Sequence, residues 1–458
     1  MITGIRLAAI LASPLELGVD EAQYWLWGQS LDFGYYSKPP LIGWFLFLTD
    51  SLLGSSAAAT RFFAPLLHLV IALLLYHIGR AHHGDKAGKL AALFWLSLPI
   101  VSLGSFVIST DTILLVPWVL ALAFFLKAQT TDKFRDYVIA GLIIGVGLLA
   151  KYAASYFILG ASLSLFCFTA KDIRHKLVSL LCLIGGALVS FSPNLIWNVV
   201  NGGVTFNHIG ENADLAEPSY SFVNAFEFLL SQIAVIGPVM AIILIASGLR
   251  VKHHKLMSHL LCFIVPVVIF MTIQAYLKTA NANWAATAWP AACLLVAIGL
   301  ADFIPRIWGR MALSVNYCAA LIIAFGLGMG DFYQLTPSSD PLRRMRGWQA
   351  LADDVSQKAT EVGAQIIIAD RRAEAALLSW HLADSGLVVR VIDEDGVIGS
   401  HFELTSTLSQ TDPKPYLILS ETGAKLPNSI ENAEGPIGTS EVTISQKRQR
   451  QKLFYLLP

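Results

Sequence analysis

The chain has 458 residues, 55% of them hydrophobic and 14% charged, and its formal net charge is zero. Soluble domains carry nearer 25% charged residues, so an ordinary soluble protein is excluded and a polytopic α-helical membrane protein is expected. No long basic tract interleaves with aromatics, so nucleic acid is not an expected partner; membrane lipids are.

The first segment, Ile5 to Leu17, has the look of a signal peptide but lacks a convincing small-residue cleavage site, and more membrane follows it. We read it as a retained anchor. Its apolar run is shorter than the roughly 20 residues of a full span, which leaves two explanations open: a start upstream of Met1, or a buried, locally thin helix. Apolar windows between polar breaks then give eleven spans, near 3–17, 61–79, 90–108, 112–127, 137–150, 152–170, 177–198, 223–249, 257–275, 284–302 and 312–332. Within 137–170 only Lys151-Tyr152 interrupts the apolar run, and a hairpin there competes with one tilted helix plus a re-entrant piece. Residues 40–53 are too short to cross and carry Asp50. They read as an interfacial helix started by Pro39 and Pro40, where a missing N–H costs little.

Basic residues set the expected orientation. Five loops that an eleven-span count puts on one side carry Arg80, Lys86 and Lys89; Lys127, Lys133 and Arg135; Lys171, Arg174 and Lys176; Arg250, Lys252 and Lys255; and Arg306 and Arg310. Such loops stay cytoplasmic. The outward loops are then 18–60, with Asp20, Glu21, Asp32, Lys38 and many aromatics (Tyr24, Trp25, Trp27, Phe33, Tyr35, Tyr36, Trp44), and 199–222, with His208, Glu211, Asp214 and Glu217.

Charge beside hydrocarbon is expensive, so these residues are the first candidates for chemistry. Asp20-Glu21 follows the first span. If 20–27 is helical, Asp20 and Tyr24 share a face while Glu21 points toward Trp25. Such an acid pair either stabilises a helix start or supplies a base for an incoming hydroxyl. Lys38, ahead of Pro39-Pro40, is either a snorkelling anchor or a cation for a phosphate oxygen. Asp111 in Ser109-Thr110-Asp111 is placed to cap the fourth span, a role compatible with a site. Lys151 must reach water, a ligand or a carboxylate, with Asp111 and Asp20 as the candidate acids, and Tyr152 adjoins it. Arg61 opens the second span on the outer side, suited to Glu21 or to an anionic headgroup. Asn194, Trp197, Asn198, Asn201, Thr205, Asn207 and His208 cluster around the end of the seventh span. They read as substrate hydrogen bonders, with Trp197 able to stack on a sugar ring or an isoprenoid. The five cysteines and His208 lack metal-ligand spacing, so no cofactor is expected and a divalent metal is the lesser alternative.

Beyond Pro337 the composition becomes that of a soluble protein. Residues 364–369 and 387–392 read as buried strands with a helix from Arg371 to Leu382 between them, and Pro415–Ser420 and Val442–Ile444 as further strands. The expected organisation is a membrane domain over 1–335 with outer loops 18–60 and 199–222, followed by a small extracytoplasmic α/β domain over 336–458. Asp370-Arg371-Arg372 reads as a helix start with surface charge.

Together, Asp20-Glu21-x-x-Tyr24, the Gly34-Tyr-Tyr-Ser-Lys-Pro-Pro-Leu41 run, Arg61, Ser-Thr-Asp111, Gly-Leu-Leu-Ala-Lys151-Tyr152 and Pro193-Asn-Leu-Ile-Trp-Asn198 followed by Thr205-Phe-Asn-His208 resemble the membrane glycosyltransferases of the C-type fold. The nearest branch holds the protein O-mannosyltransferases and the lipid A aminoarabinose transferase, and the likeness covers about residues 18–210. It implies transfer of a sugar from a polyprenyl-phosphate donor on the periplasmic side of the bacterial inner membrane. The acceptor would be lipid A, lipopolysaccharide or another glycolipid. By the same resemblance Asp20 is the base candidate, Asp111 the acid of the second loop, and Lys38 the contact for donor phosphate or an acidic acceptor group. In the aminoarabinose transferase an acid linked to metal binding precedes this lysine; here Ser37 stands there, which speaks against the same metal and identical recognition.

A lipid phosphate is already a good leaving group, so the protein must mainly take the acceptor proton, neutralise departing charge and align the reactants. Asp20 suits the first task; Lys38, Arg61 and Lys151 suit the second. With no second carboxylate placed as a nucleophile, inversion is expected. Two rivals remain: a protein O-glycosyltransferase, and a flippase or transporter of lipid-linked sugar, which would need a polar route through spans that are apolar at their centres.

Overall fold

The computed structural model describes all residues except 214–217, 219, 252–253, 331–341, 395, 424–425, 428–429, 431 and 446–447, and omits the side chains of 209, 211–213 and 445. Asp214, Glu217, Lys252, the end of the last expected span and the composition change at Pro337 lie outside the described residues. The chain forms two compact units. One comprises Met1–Ile10, Lys38–Ile42 and Arg61–Phe325; the other comprises Leu11–Ser37, Gly43–Thr60 and Gly326–Pro458.

In chain order the helices are α1 (Ile2–Ala12), α2 (Val19–Gln29), α3 (Leu41–Leu53), α4 (Ala57–His83), α5 (Asp85–Ser97), α6 (Pro99–Gly104), α7 (Thr110–Thr131), α8 (Phe134–Ala150), α9 (Ser155–Phe168), α10 (Ile173–Val200), α11 (Val204–Ala213), α12 (Phe222–Ile236), α13 (Pro238–Gly248), α14 (Lys255–Leu261), α15 (Val265–Leu277), α16 (Trp289–Asp302) and α17 (Arg306–Met329). The chain is a polytopic helical membrane protein, but eleven full spans are not found. Among the described residues six stretches are long and apolar enough to cross: Ala57–His83, Thr110–Thr131, Ile173–Val200, Lys255–Leu277, Ala282–Asp302 and Arg306–Met329. The pair α12 and α13, bent by 102°, makes a seventh if counted as one span.

The shortfall has local causes. Pro99 opens α6 and divides the expected 90–108 span, because it cannot donate the hydrogen bond that would continue α5. Gly237, at φ +90°, ends α12 before Pro238. Lys151 caps α8 in an extended conformation and divides 137–170 there, the break that its charge suggested. α1 has 11 residues, about 17 Å of helix, roughly half a bilayer's hydrocarbon. Its Arg6 is nonetheless 2% exposed, donating to the Leu96 carbonyl at 2.8 Å and the Ser102 hydroxyl at 2.7 Å.

Small residues let α8 and α10 touch backbone to backbone. A Cβ on Gly141 would stand 2.1 Å from the Leu183 carbonyl oxygen, one on Gly145 2.5 Å from that of Ala187, and one on Gly186 2.5 Å from that of Val138. Where burying apolar surface against lipid gains little, such close approach is what holds helices together. Gly141→Leu should therefore cost at least about 3 kcal/mol. Gly185→Ala, whose Cβ meets nothing within 4 Å, should be neutral or mildly stabilising. Melting and gel-filtration profiles in detergent check this pair, and equal behaviour of the two variants would refute it.

The second unit adds α18 (Trp348–Val362), α19 (Arg372–His381) and α20 (His401–Thr405) around a five-stranded sheet of β1 (Ile366–Ile368), β2 (Val388–Arg390), β3 (Tyr416–Glu421), β4 (Glu434–Ser445) and β5 (Arg448–Leu457). The order is β2-β1-β3-β5-β4. Ile366 pairs with Val388 and Tyr416 in parallel register, whereas β5 runs antiparallel to β3 and β4. The β1 residues are fully buried, as a strand covered on both faces requires. Leu17 and Ala22 join Leu351, Val355, Leu377, Leu378 and Leu417 in one core, so α2 is built into this unit by its apolar face.

Candidate active site

In the first unit, polar structure gathers on Asp111. It lies in the first turn of α7, but the N-cap is Ser109, whose hydroxyl accepts from the Thr112 N–H at 3.3 Å. The expected capping role thus falls to Ser109, two residues earlier, because its extended backbone aims the hydroxyl at the helix end. The Asp111 carboxylate accepts instead from Lys151 Nζ at 2.7 Å and from Asn283 Nδ2 at 2.8 Å. Of the two acids open to Lys151, it is Asp111 that it meets. Their side chains are only 21% and 14% exposed, so removing one partner alone would strand the other mostly out of water and cost more than breaking a surface ion pair. Asp111 and Asn283 line a cavity of about 350 Å³ whose other walls include His68, Trp95, Thr112, Leu115 and Trp289. A few polar groups on one side of an apolar hollow suit a ligand with a charged head and a greasy body.

Tyr152, next to Lys151, organises the cluster at the end of α10. Its hydroxyl donates to Asn194 Oδ1 at 2.7 Å and accepts from Asn198 Nδ2 at 3.3 Å, and both asparagines are buried. Its ring rests between Phe191 and Phe206, with centroids 5.6 and 5.3 Å away. Trp197 is half-buried and its carbonyl accepts from Asn201, while His208 is half-buried on α11. Arg61 is 2% exposed near the start of α4, its guanidinium 4.9 Å from the Phe106 ring centre. Lys38 is half-buried immediately before the buried Pro39 and Pro40, and α3 starts where these prolines predict.

In the second unit, α2 carries the acid pair as a helix, as expected of 20–27. Glu21 is the buried member, 1% exposed, and accepts from the Gly18 N–H at 3.0 Å. Asp20 is the exposed member and accepts from Arg372 Nη2 at 2.5 Å; Arg372 Nε donates to Gln23 Oε1. Arg372, which reads in the sequence as surface charge, thus ties α19 to the acid of α2. Tyr24 is buried with its ring 5.2 Å from Trp27. Tyr35 stacks on Trp27 at 4.7 Å and donates to the Trp27 carbonyl at 2.8 Å. Burial, above all, pushes the Tyr35 phenol up to about 12, so it remains a donor. Tyr36 is buried beside it in sequence.

His401 stands edge-on to Trp27 and Tyr35, at 5.5 and 6.1 Å between centroids. Burial first, then the charge of Arg372, holds its imidazole at about 4, below the ordinary 6.5. The folded unit keeps the ring neutral where the unfolded chain binds a proton. Its contribution to stability is complete above about 6.5 and is lost as pH falls toward 4. His401→Phe should flatten the fall in melting temperature across this window, and an unchanged pH profile would rule the assignment out.

Asn283 and His68 were not among the residues expected to line the site. Asn283 had a signal, the polar Asn281-Ala-Asn283 break ahead of a span; His68 sits alone on an apolar helix and had none.

Residues 37–197 match the family described as dolichyl-phosphate-mannose-protein mannosyltransferase. The chain is 30% identical over 390 residues to the lipid A galacturonosyltransferase RgtD of Rhizobium johnstonii, covering 84% of this chain and 82% of that protein. It is also 30% identical over 200 residues to the lipopolysaccharide core galacturonosyltransferase RgtB of the same organism, covering 42% and 40% of the two chains. ArnT from Cupriavidus metallidurans bound to undecaprenyl phosphate superposes with a TM-score of 0.70 at 15% identity, over 100% of this chain and 96% of that one. A fold shared along the whole chain with ArnT, and sequence kinship over most of its length with RgtD, carry the conclusion that the chain belongs to the polyprenyl-phosphate-sugar-dependent membrane glycosyltransferases of the C-type fold.

Proposed function

We propose that this glycosyltransferase moves a sugar from a polyprenyl-phosphate carrier to lipid A or another lipopolysaccharide glycolipid, at the periplasmic face of the bacterial inner membrane. The observation that carries the proposal is the 390-residue match to a lipid A galacturonosyltransferase. Galacturonic acid is accordingly the first sugar to test. The bias of Lys and Arg toward one set of loops supports the orientation.

The chemistry is a single displacement. Asp20 takes the acceptor hydroxyl's proton, the acceptor oxygen bonds to the anomeric carbon, and the bond from that carbon to the phosphate oxygen breaks with inversion. Lys38, Arg61 and Lys151 are the cations for the departing phosphate, and all three belong to the first unit, as does Asp111. Asp111 fixes the Lys151 ammonium at the edge of the cavity. Glu21, Tyr24, Tyr35 and Tyr36 shape the surroundings of Asp20, while Tyr152, Trp197, Asn198 and His208 are the candidates for hydrogen bonding and stacking to sugar or carrier. Residues 1–335 are the transmembrane catalytic part, and 336–458 an extracytoplasmic domain that supports it or docks the acceptor.

Purified protein in liposomes, given labelled polyprenyl-phosphate galacturonic acid and lipid A, should move label into the lipid A fraction with inverted anomeric configuration. Label in added protein would favour the acceptor class named by the matched mannosyltransferase family. Retention of configuration would overturn the single displacement.

A further inference from the structure

A second cluster of ligating side chains shares none of these residues. His83 ends α4, His254 precedes α14 and Asp302 ends α16. His83 Nε2 is 3.0 Å from Asp302 Oδ1, and the His83 and His254 rings are 4.9 Å apart at 73°. One ligating atom from each residue falls within 4.8 Å of the other two. An ordinary His–Asp hydrogen bond explains His83 and Asp302 but does not account for His254, whose buried Nδ1 has no hydrogen-bond partner among the described residues.

We propose that His83, His254 and Asp302 bind one divalent zinc-class ion, which staples the ends of three helices of the first unit. Two imidazoles and a carboxylate are a donor set that zinc takes readily, and its bonds of about 2.0–2.2 Å place tetrahedral ligand atoms roughly 3.3 Å apart. The His83–Asp302 separation of 3.0 Å is close to that spacing, and the His254 ligand atom, within 4.8 Å of both, would have to move inward by at most about 1.5 Å. The Asp302 side chain is 33% exposed, so water can reach the group as a fourth ligand. Lys86 donates to the Leu300 and Ala301 carbonyls at 3.4 and 3.2 Å, which occupies the end of α16 and leaves the Asp302 carboxylate to the imidazoles. In the sequence the three residues fall at or beside the loops that carry Arg80, Lys86, Arg250, Lys255 and Arg306, which the basic-residue bias assigns to the cytoplasmic side. Its role is to hold helix ends, and the proposal stands or falls apart from sugar transfer.

The test uses the full chain in detergent without a polyhistidine tag, stripped with chelator and then equilibrated with Zn²⁺. Elemental analysis should give about one zinc per chain and melting should shift upward with zinc. His254→Gln and Asp302→Asn should each lose the metal and the shift. Because His254 Nδ1 has no hydrogen-bond partner among the described residues, His254→Gln should still elute as a single folded species, which separates loss of metal from loss of fold. Zinc-free wild type, or an unchanged stoichiometry in both variants, overturns the proposal.

Discussion

Asp20→Asn is expected to lower sugar transfer by about 10²- to 10⁴-fold, the range over which a positioned general base contributes. The substitution keeps the size of the side chain and the ability to accept from Arg372, and Asp20 is exposed in the first turn of α2, so melting should change by little. The rival explanation is that Asp20 serves only to anchor α19. Arg372→Gln separates the two, because it breaks the same ion pair while leaving the carboxylate in place. A base predicts that Asp20→Asn is inactive and Arg372→Gln still transfers sugar; an anchor predicts equal losses. The comparison is made on kcat/KM with donor and acceptor varied in turn.

Much of the fold was legible because its signals are local. The helix α3 follows from Pro39-Pro40, the break at Lys151 from a charge in an apolar run, and the strands β1 and β2 from short Ile and Val runs. Span counting failed where apolar composition conceals backbone geometry. Pro99 and Gly237 stand in windows as greasy as any span, and hydropathy is blind to the missing N–H of one and the positive φ of the other. β5 was missed for the opposite reason. Its first half, Arg448-Gln-Arg-Gln-Lys452, reads as surface, yet Lys452 is 2% exposed because it pairs with the buried Glu374 at 2.7 Å, an acid 78 positions earlier in the chain.

The candidate site divides in the same way. Asp20, Asp111 and Lys151 stand out because charge next to hydrocarbon is conspicuous in any single sequence. The partners of those charges are not conspicuous. Arg372 lies 352 residues from Asp20 and Asn283 lies 172 from Asp111, and no periodicity connects residues that only folding brings together. The capping of α7 shows how narrow the local signal is: Ser109 and Asp111 are both good caps on paper, and the backbone selects the serine.

Lys151→Met should abolish most transfer and also destabilise the first unit by about 2–3 kcal/mol, since it leaves Asp111 largely buried with Asn283 as its remaining partner. Asp111→Asn should have the mirror effect on Lys151. The double variant Asp111→Asn, Lys151→Met removes both charges from a site that is mostly out of water, so its melting temperature should return close to wild type. Transfer should not return with it, because a neutral pair offers no cation to the departing phosphate and no carboxylate to hold one. Stability and activity are thereby read on separate axes. If the double variant recovered transfer along with stability, the pair would be structural, and the phosphate's counter-charge would have to come from Lys38 and Arg61 alone.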